Sequence, residues 1–461
     1  MVFSNFIQYL GLTLILTVNP TQIPGIGGVW CLGLTLILTV NPTDQWSQWR
    51  GPSGNSQSNS SNLPIKWNES QNIAWKCELP GEGASTPCIW DDSVFVTSQD
   101  GDKLLAARIE LKTGKLNWQK QLSSGEVTRD ALKGKPGDQR RRQKFHKLHN
   151  LASPSPTTNG TSLVFLYGNG ELFCTDFNGN LQWQKNLQKE HGTFTIWWGY
   201  ANSPFIFNDL VICTVMQDSL CDLEGTKAES YLVAYSLKDG KLAWKTPRPT
   251  AAKAESCDSY TTPLPFRFGK NLEIIIMGGN QLDAYDPQTG KQLWVRTDFP
   301  GGRTITGPGL LGNTVVATQG MRGPTFAFEL DSQTGKPNTE KPIWQHTKNT
   351  PDSCCPVGNG NLIFTVSDNG FAQCLDSKTG NLNWSERLQG DFKSSPLANN
   401  GVVYFTNLNG ECTAIKADPS FQILSKNNLG EGVIASPAVA RNHLFFHTKK
   451  GITCVGSGFS K

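Results

Sequence analysis

The groups with chemistry to offer in this chain are acids, cations and flat aromatic rings set in polar segments between apolar runs. Asp258, Asp298 and Asp352 are carboxylates of the kind that take a proton from a hydroxyl, and Arg303 is a cation able to hold an anion. Trp197-Trp198-Gly199-Tyr200 offers rings on which a planar ligand or a sugar can stack, although a cluster buried against its neighbour is the stronger expectation. In sequence these residues form no recognisable catalytic constellation. The densest charge lies in Lys133, Lys135, Arg140, Arg141, Arg142, Lys144 and Lys147, set against one acid, Asp138, with His146 and His149 alongside. Such a run suits acidic polysaccharide, phosphate or an acidic protein segment, with attraction that weakens in salt, and a solvated loop explains it equally well. With Phe145 as its one aromatic residue it is a poor nucleic-acid platform. The two histidines alone make no metal site among so many cations, and neither Cys-x-x-Cys nor Cys/His ligand spacing occurs.

The elements that must position these groups are repeats. Ala284-Tyr285-Asp286-Pro287-Gln288-Thr289-Gly290-Lys291-Gln292-Leu293-Trp294 returns imperfectly at 109–118, 174–183, 234–244 and 374–384, and with an insertion at 329–344. Each copy reads as strand, tight turn and strand, because Thr-Gly or Asp-Gly supplies the positive φ that a short hairpin needs. A further copy near Ala417–Leu424 lacks both the glycine and the tryptophan. A second marker keeps step: a proline, usually after Ser or Thr, opens an apolar strand at Pro87, Pro156, Pro204, Pro263, Pro308, Pro356, Pro396 and Pro437. Proline is tolerated at the first residue of a strand. Each unit then holds about four strands in roughly 40 to 50 residues, the size of a propeller blade.

The order of markers predicts how the ring closes. Ile73-Ala74-Trp75-Lys76 precedes every strand-opening proline, and the last unit, 435–456, ends without a tryptophan strand. The N-terminal strand therefore completes the last blade, leaving no open edge there. The expectation is an all-β, eight-bladed propeller of four-stranded blades, with seven blades as the alternative because the seventh unit is degenerate. Composition agrees: 46 Gly, 26 Pro and a charged fraction of 17% describe a turn-rich β protein, and 42 basic against 38 acidic residues name no nucleic-acid or membrane partner.

Residues 46–456 read as one propeller domain with a basic loop insertion at 123–150, and 457–461 as a tail. Within 1–45 the segment Leu-Gly-Leu-Thr-Leu-Ile-Leu-Thr-Val-Asn-Pro-Thr occurs twice, at Leu10–Thr21 and Leu32–Thr43. Each apolar run is short for a bilayer span but suits the centre of an export signal. The expectation is a duplicated export signal or anchor, and a periplasmic or membrane-anchored protein of the cell envelope; Trp30 before Cys31 departs from a lipoprotein box. Of the 12 cysteines, Cys174 and Cys374 occupy the slot of Ala234 and Ala284 and read as core thiols.

The pattern at Ala284–Trp294 resembles the tryptophan-docking motif of quinoprotein-type propellers, and Trp46-Ser47-Gln48-Trp49-Arg50-Gly51-Pro52 resembles the opening of the PQQ-binding-like repeat proteins related to the outer-membrane assembly factor BamB. The resemblance covers nearly all of Trp46–Gly456. It implies that Trp75, Trp118, Trp183, Trp244, Trp294, Trp344 and Trp384 pack between blades. It also implies a choice of function, because such propellers include dehydrogenases and non-catalytic scaffolds. The main expectation is a monomeric, non-catalytic scaffold binding an envelope protein or acidic polymer, with interaction candidates in the Lys133–Lys147 run, Trp197 and Trp198, and with no catalytic residue, metal ligand or cofactor assigned. One alternative is a PQQ- and Ca²⁺-dependent dehydrogenase of alcohols or sugars; another is a cytoplasmic interaction module. The resemblance also raises a vicinal disulfide at Cys354-Cys355, but the pair stands in register with Ser394-Ser395 before Pro396, so an ordinary blade opening is expected.

Overall fold

A computed structural model describes residues 8–9, 12–22, 30–39, 45–125, 146–196, 198–217 and 229–459, the segments before residue 40 as backbone alone. After the N-terminal hairpin, eight sheets follow one another along the chain, seven of them with four consecutive blade strands, and this settles the blade number at eight. Blade 1 comprises Cys88–Trp90, Ser93–Asp100, Lys103–Glu110 and Leu116–Ser124; blades 2 to 7 repeat that order, beginning at Thr157, Phe205, Leu264, Gly309, Val357 and Leu397. Blade 8 takes Ala438–Ala440, His443–Thr448 and Gly451–Val455 from the C-terminus and Ile73–Glu78 from the N-terminus, with Cys454 opposite Trp75. First strands of neighbouring blades touch, so they surround the axis.

One register explains the repeat. In blades 2, 3, 4 and 6 the third strand shifts register beside the residue that faces the tryptophan: Cys174 opposite Trp183, Ala234 opposite Trp244, Ala284 opposite Trp294, Cys374 opposite Trp384. The cysteines and alanines are buried in the cross-strand position beside an indole, whereas blade 1 has Arg108 there, opposite Trp118. Each indole then reaches the next blade. Trp75 lies against Gly114, Trp183 against Gly240, Trp244 against Gly290 and Trp344 against Gly380, leaving no room for a Cβ. The Trp75, Trp183 and Trp344 N–H groups donate to the carbonyls of Leu111, Leu237 and Ser377 at 2.8 to 2.9 Å. Trp118 and Trp384 donate likewise to Phe177 and Asp418. The turn glycine thus serves twice, with φ near 70° for the hairpin (72° at Gly114, 68° at Gly380) and a bare face for its neighbour's ring.

The degenerate seventh blade is repaired from outside. Its third strand has Ala414 opposite Ser425 where other blades have the tryptophan. Trp67, from the segment before blade 1, packs between Tyr404 of blade 7 and Phe446 of blade 8 at centroid distances of 6.4 and 6.0 Å. Its backbone N–H is held by Asn427 Oδ1 at 3.0 Å. An indole is thus still supplied to the interface between blades 7 and 8, although the repeat copy there has lost its own.

Within 1–44, the backbone at Leu12–Gln22 pairs antiparallel with Trp30–Thr39, so the two apolar copies face each other in a hairpin. No helix among the described residues is long and apolar enough to cross a membrane.

Candidate functional site

The residue before each strand-opening proline builds a belt around the axis. The backbone N–H of Thr86 donates to Ser155 Oγ (2.9 Å), that of Ser155 to Ser203 Oγ (2.9 Å) and that of Ser203 to Thr262 Oγ1 (3.0 Å). The pattern resumes from Gly307 N to Cys355 Sγ (3.1 Å), Cys355 N to Ser395 Oγ (3.0 Å) and Ser395 N to Ser436 Oγ (3.0 Å), and Thr86 Oγ1 donates to the Ser436 carbonyl. These N–H groups are buried and have no sheet partner, so a hydroxyl or thiol from the next blade satisfies each. The belt breaks once, between Thr262 and Gly307, where glycine has no side chain to offer. Cys355 therefore belongs to the belt, while Cys354 points into the apolar core of blades 6 and 7 and burial pushes its thiol well up. Both are free thiols.

Above the belt a funnel opens, with a cavity of about 500 Å³. The residue three before each of the eight prolines lines it: Ala84, Ser153, Ala201, Tyr260, Ile305, Ser353, Lys393 and Ile434. The wall is thus small and apolar on one side and polar on the other. On the polar side Trp198 donates from Nε1 to Glu255 Oε1 at 3.1 Å, and Arg303 joins Asp352 at 3.1 Å and stands 3.9 Å from Glu255. Lys393 forms an ion pair with Asp368 and donates to Ser353 Oγ at 3.0 Å. Asp368 in turn accepts the Asp352 and Ser353 N–H groups at 3.1 and 2.9 Å. Arg303 and Lys393 are tied down yet keep N–H groups beyond those these contacts use, and both line the cavity.

Of the residues singled out in the sequence, Trp198, Arg303 and Asp352 come together here. Trp198 is half-buried and faces the funnel, while Tyr200 of the same run is fully buried and stacks on Phe194 with centroids 4.9 Å apart. Asp258 is buried in the wall behind them, where its carbonyl accepts from Thr304 N, and Asp298 is exposed and does not line the funnel. Trp197 lies outside the described residues, as do Lys133, Lys135, Arg140, Arg141, Arg142 and Lys144. Lys147, the described end of that basic run, is exposed. The insertion returns over the funnel mouth: His146 sets its ring edge-on to Trp198 with centroids 6.3 Å apart. Burial, then Lys393, Lys147 and Arg303, hold its pKa below the usual histidine value. His149 lies beneath, and burial pushes it down to about 4. Glu255, Ser353, Lys393 and Asp368 were not singled out in the sequence. Their signal was positional, because counting back three residues from the prolines finds Ser353 and Lys393. Among the described residues no group of three or more His, Cys, Asp or Glu stands where it could hold a metal ion.

A family model described as outer membrane protein assembly factor BamB matches residues 58–221, 135–334 and 333–455, together most of the propeller. The chain belongs to this family. No curated protein matches the sequence. Among solved structures it is similar to BamB from Moraxella catarrhalis, at 14% identity and a TM-score of 0.56 over 83% of this chain and 96% of that one. It is also similar to quinohemoprotein alcohol dehydrogenase from Comamonas testosteroni, at 13% identity and a TM-score of 0.62 over 91% and 82%. A europium-containing methanol dehydrogenase matches at 11% identity and 0.61 over 88% and 89%. At such identities the likeness to these structures is one of fold alone.

Proposed function

We propose that this BamB-family propeller binds a planar, carboxylate-bearing small molecule of the PQQ type in its axial funnel and acts as an oxidoreductase on alcohols or sugars. The observation that carries the reading is the convergence of Arg303, Lys393 and the Trp198 ring on one concave site of about 500 Å³, within the usual range for small-molecule pockets. Cations with spare donors suit carboxylates, and an indole suits a flat ring system. Those residues fit the rings and carboxylates of such a cofactor; the described acids are not grouped to hold its calcium ion. A bound quinone would supply the hydride-accepting chemistry. From the chain itself, Glu255 is the carboxylate among the lining residues and is the group placed to take a substrate hydroxyl proton.

A second reading is a non-catalytic scaffold of the cell envelope, exported and binding an acidic protein or polymer through the funnel-side loops. The family match favours it. Titration calorimetry of the full chain with PQQ, with and without Ca²⁺, separates the two. The dehydrogenase reading expects saturable one-to-one binding, weakened about tenfold or more by Arg303→Ala or Lys393→Ala, as for a lost hydrogen bond to a charged group. Absence of binding by the folded wild-type chain removes it and leaves the scaffold.

A further inference from the structure

The segment before the first blade does more than close the ring. It runs across the end of the axis opposite the funnel and ties several blades together. Trp46 exchanges backbone hydrogen bonds with Ile89 of blade 1 at 2.9 and 2.8 Å, and the Ser47 carbonyl accepts from Thr158 of blade 2 at 2.9 Å. Gln57–Ser58 pairs in parallel with the first strand of blade 7. Between these anchors lies Arg50, 1% exposed, donating to the carbonyls of Pro308 and Pro356 at 2.7 Å each and to Ser56 Oγ at 3.0 Å. A buried guanidinium is costly unless its donors are satisfied. Here they bridge the first strands of blades 5 and 6.

The product of this clamp is the position of one ring. Trp49 is turned into the channel and lines the funnel from below, with the Arg50 guanidinium carbon 5.4 Å from its ring centroid. The ring occupies the gap in the belt: a Cβ at Gly307 would stand 3.2 Å from Trp49 Cη2 and 3.4 Å from Cys355 Sγ. Gly307 is not among the glycines with positive φ, so the backbone conformation does not require it. A side chain there would crowd Trp49 and Cys355, which would have to give by a few tenths of an ångström. Belt positions in six of the other blades bear Ser or Thr, the seventh being Cys355, so the missing side chain coincides with the one place an indole enters.

We propose that Trp49 is the stacking floor of the funnel, a ligand-contacting residue brought from outside the blades, seated on Gly307 and positioned by Arg50. The inference rests on the proposed occupancy of the funnel by a flat, carboxylate-bearing ring system. It adds that this ring lies against Trp49 with its carboxylates toward Arg303 and Lys393. The funnel is then a blind pocket whose depth the pre-blade segment sets.

The test is calorimetric titration of PQQ into the full chain and into Trp49→Leu, Trp49→Phe, Gly307→Ala and Arg303→Ala, with thermal unfolding of each as a control for folding. Trp49→Leu is expected to weaken binding tenfold or more, the scale of losing one aromatic stacking partner. Trp49→Phe, which keeps a ring, should stay within about threefold of wild type. Gly307→Ala keeps the indole but displaces it, and should weaken binding severalfold while Arg50 and the ion pairs remain. If wild type binds, Arg303→Ala weakens binding and folded Trp49→Leu binds as wild type does, Trp49 is only a plug and the inference is overturned while the funnel reading stands. If the folded wild type binds no PQQ, the reading and the floor fall together. Should Trp49→Leu fail to fold, the contrast between Trp49→Phe and Gly307→Ala decides: equal affinities, both like wild type, overturn the floor.

Discussion

Glu273 shows how one residue departs from the repeat and what that does to stability. Where Trp75, Trp118, Trp183, Trp344 and Trp384 donate to a carbonyl of the next blade, Trp294 donates to Glu273 of its own blade, at 3.2 and 3.3 Å. The carboxyl is buried, and burial pushes its pKa from 4.5 up to about 7, with the Trp294 bond opposing. The folded value lies above the unfolded one, so the folded chain binds more protons between pH 4.5 and 7 and stability falls as pH rises through that window. The shift corresponds to roughly 3 kcal/mol. Glu273→Gln, which keeps an acceptor for the indole, should abolish this loss and raise the melting temperature by a few degrees at pH 8 while changing little at pH 4.5. His149 and His447 act in the opposite sense. Both are pushed down to about 4 by burial, so their contribution is present above pH 6.5 and is lost as pH falls toward 4. Comparing melting curves of Glu273→Gln and wild type across pH 4 to 8 isolates the glutamate, because the histidines are common to both. Nothing in the sequence marked Glu273, since a lone acid in an apolar strand gains its meaning only from the indole beside it. Arg303, Asp352 and Trp198 were legible as loop residues with chemistry. Lys393 could be found only by counting back three residues from Pro396, and Glu255 not at all, because the sequence does not say which of many charges face the axis.

At the scale of the element, the turn glycine explains why the repeat was readable. It is fixed by two independent demands, backbone conformation and contact with the neighbouring indole, and a residue under two demands varies little from copy to copy. Blade 6 contains both kinds of glycine. Gly360 has φ of 60° with nothing within 4 Å of its missing Cβ, whereas Gly380 has φ of 68° and the Trp344 ring 2.6 Å from that point. Gly360→Ala should cost about 1 kcal/mol, the strain of the left-handed conformation alone. Gly380→Ala should cost about 3 kcal/mol, because overpacking against the ring adds to the strain. Chemical denaturation of the two variants measures the difference, and equal costs would show that the indole yields without penalty. Eight blades and their closure followed from such markers. The pre-blade segment did not, because its contacts obey no period: Trp67 fills an interface and Arg50 bridges two carbonyls at places only the closed ring defines. The funnel lay between these cases, periodic in position but not in residue type.

At the scale of the whole molecule, closure and site formation depend on the same N-terminal stretch. Ile73–Glu78 supplies the outer strand of blade 8 and carries Trp75 to Gly114 of blade 1, so it joins the last blade to the first by both a sheet ladder and an indole. Residues 46–67 run across the opposite mouth and bring Trp49 to the inner end of the funnel. A chain beginning at Gln45 keeps all of these contacts and should melt in a single cooperative transition. A chain beginning at Leu79 loses the ladder, Trp75, Trp67 and the Arg50 bridge at once. Its blade 8 presents Gly451–Val455 as an open edge, and unpaired edges recruit other chains. This chain should lose its single cooperative thermal transition and sediment as oligomers or aggregates, whereas the chain from Gln45 should remain monomeric. A monomeric, cooperatively melting chain from Leu79 would show that the blades hold the ring without the N-terminal strand. The remaining interfaces between blades, most of them an indole on a turn glycine, would then be strong enough to close eight units alone, and the role left to the N-terminal segment would be the floor of the funnel.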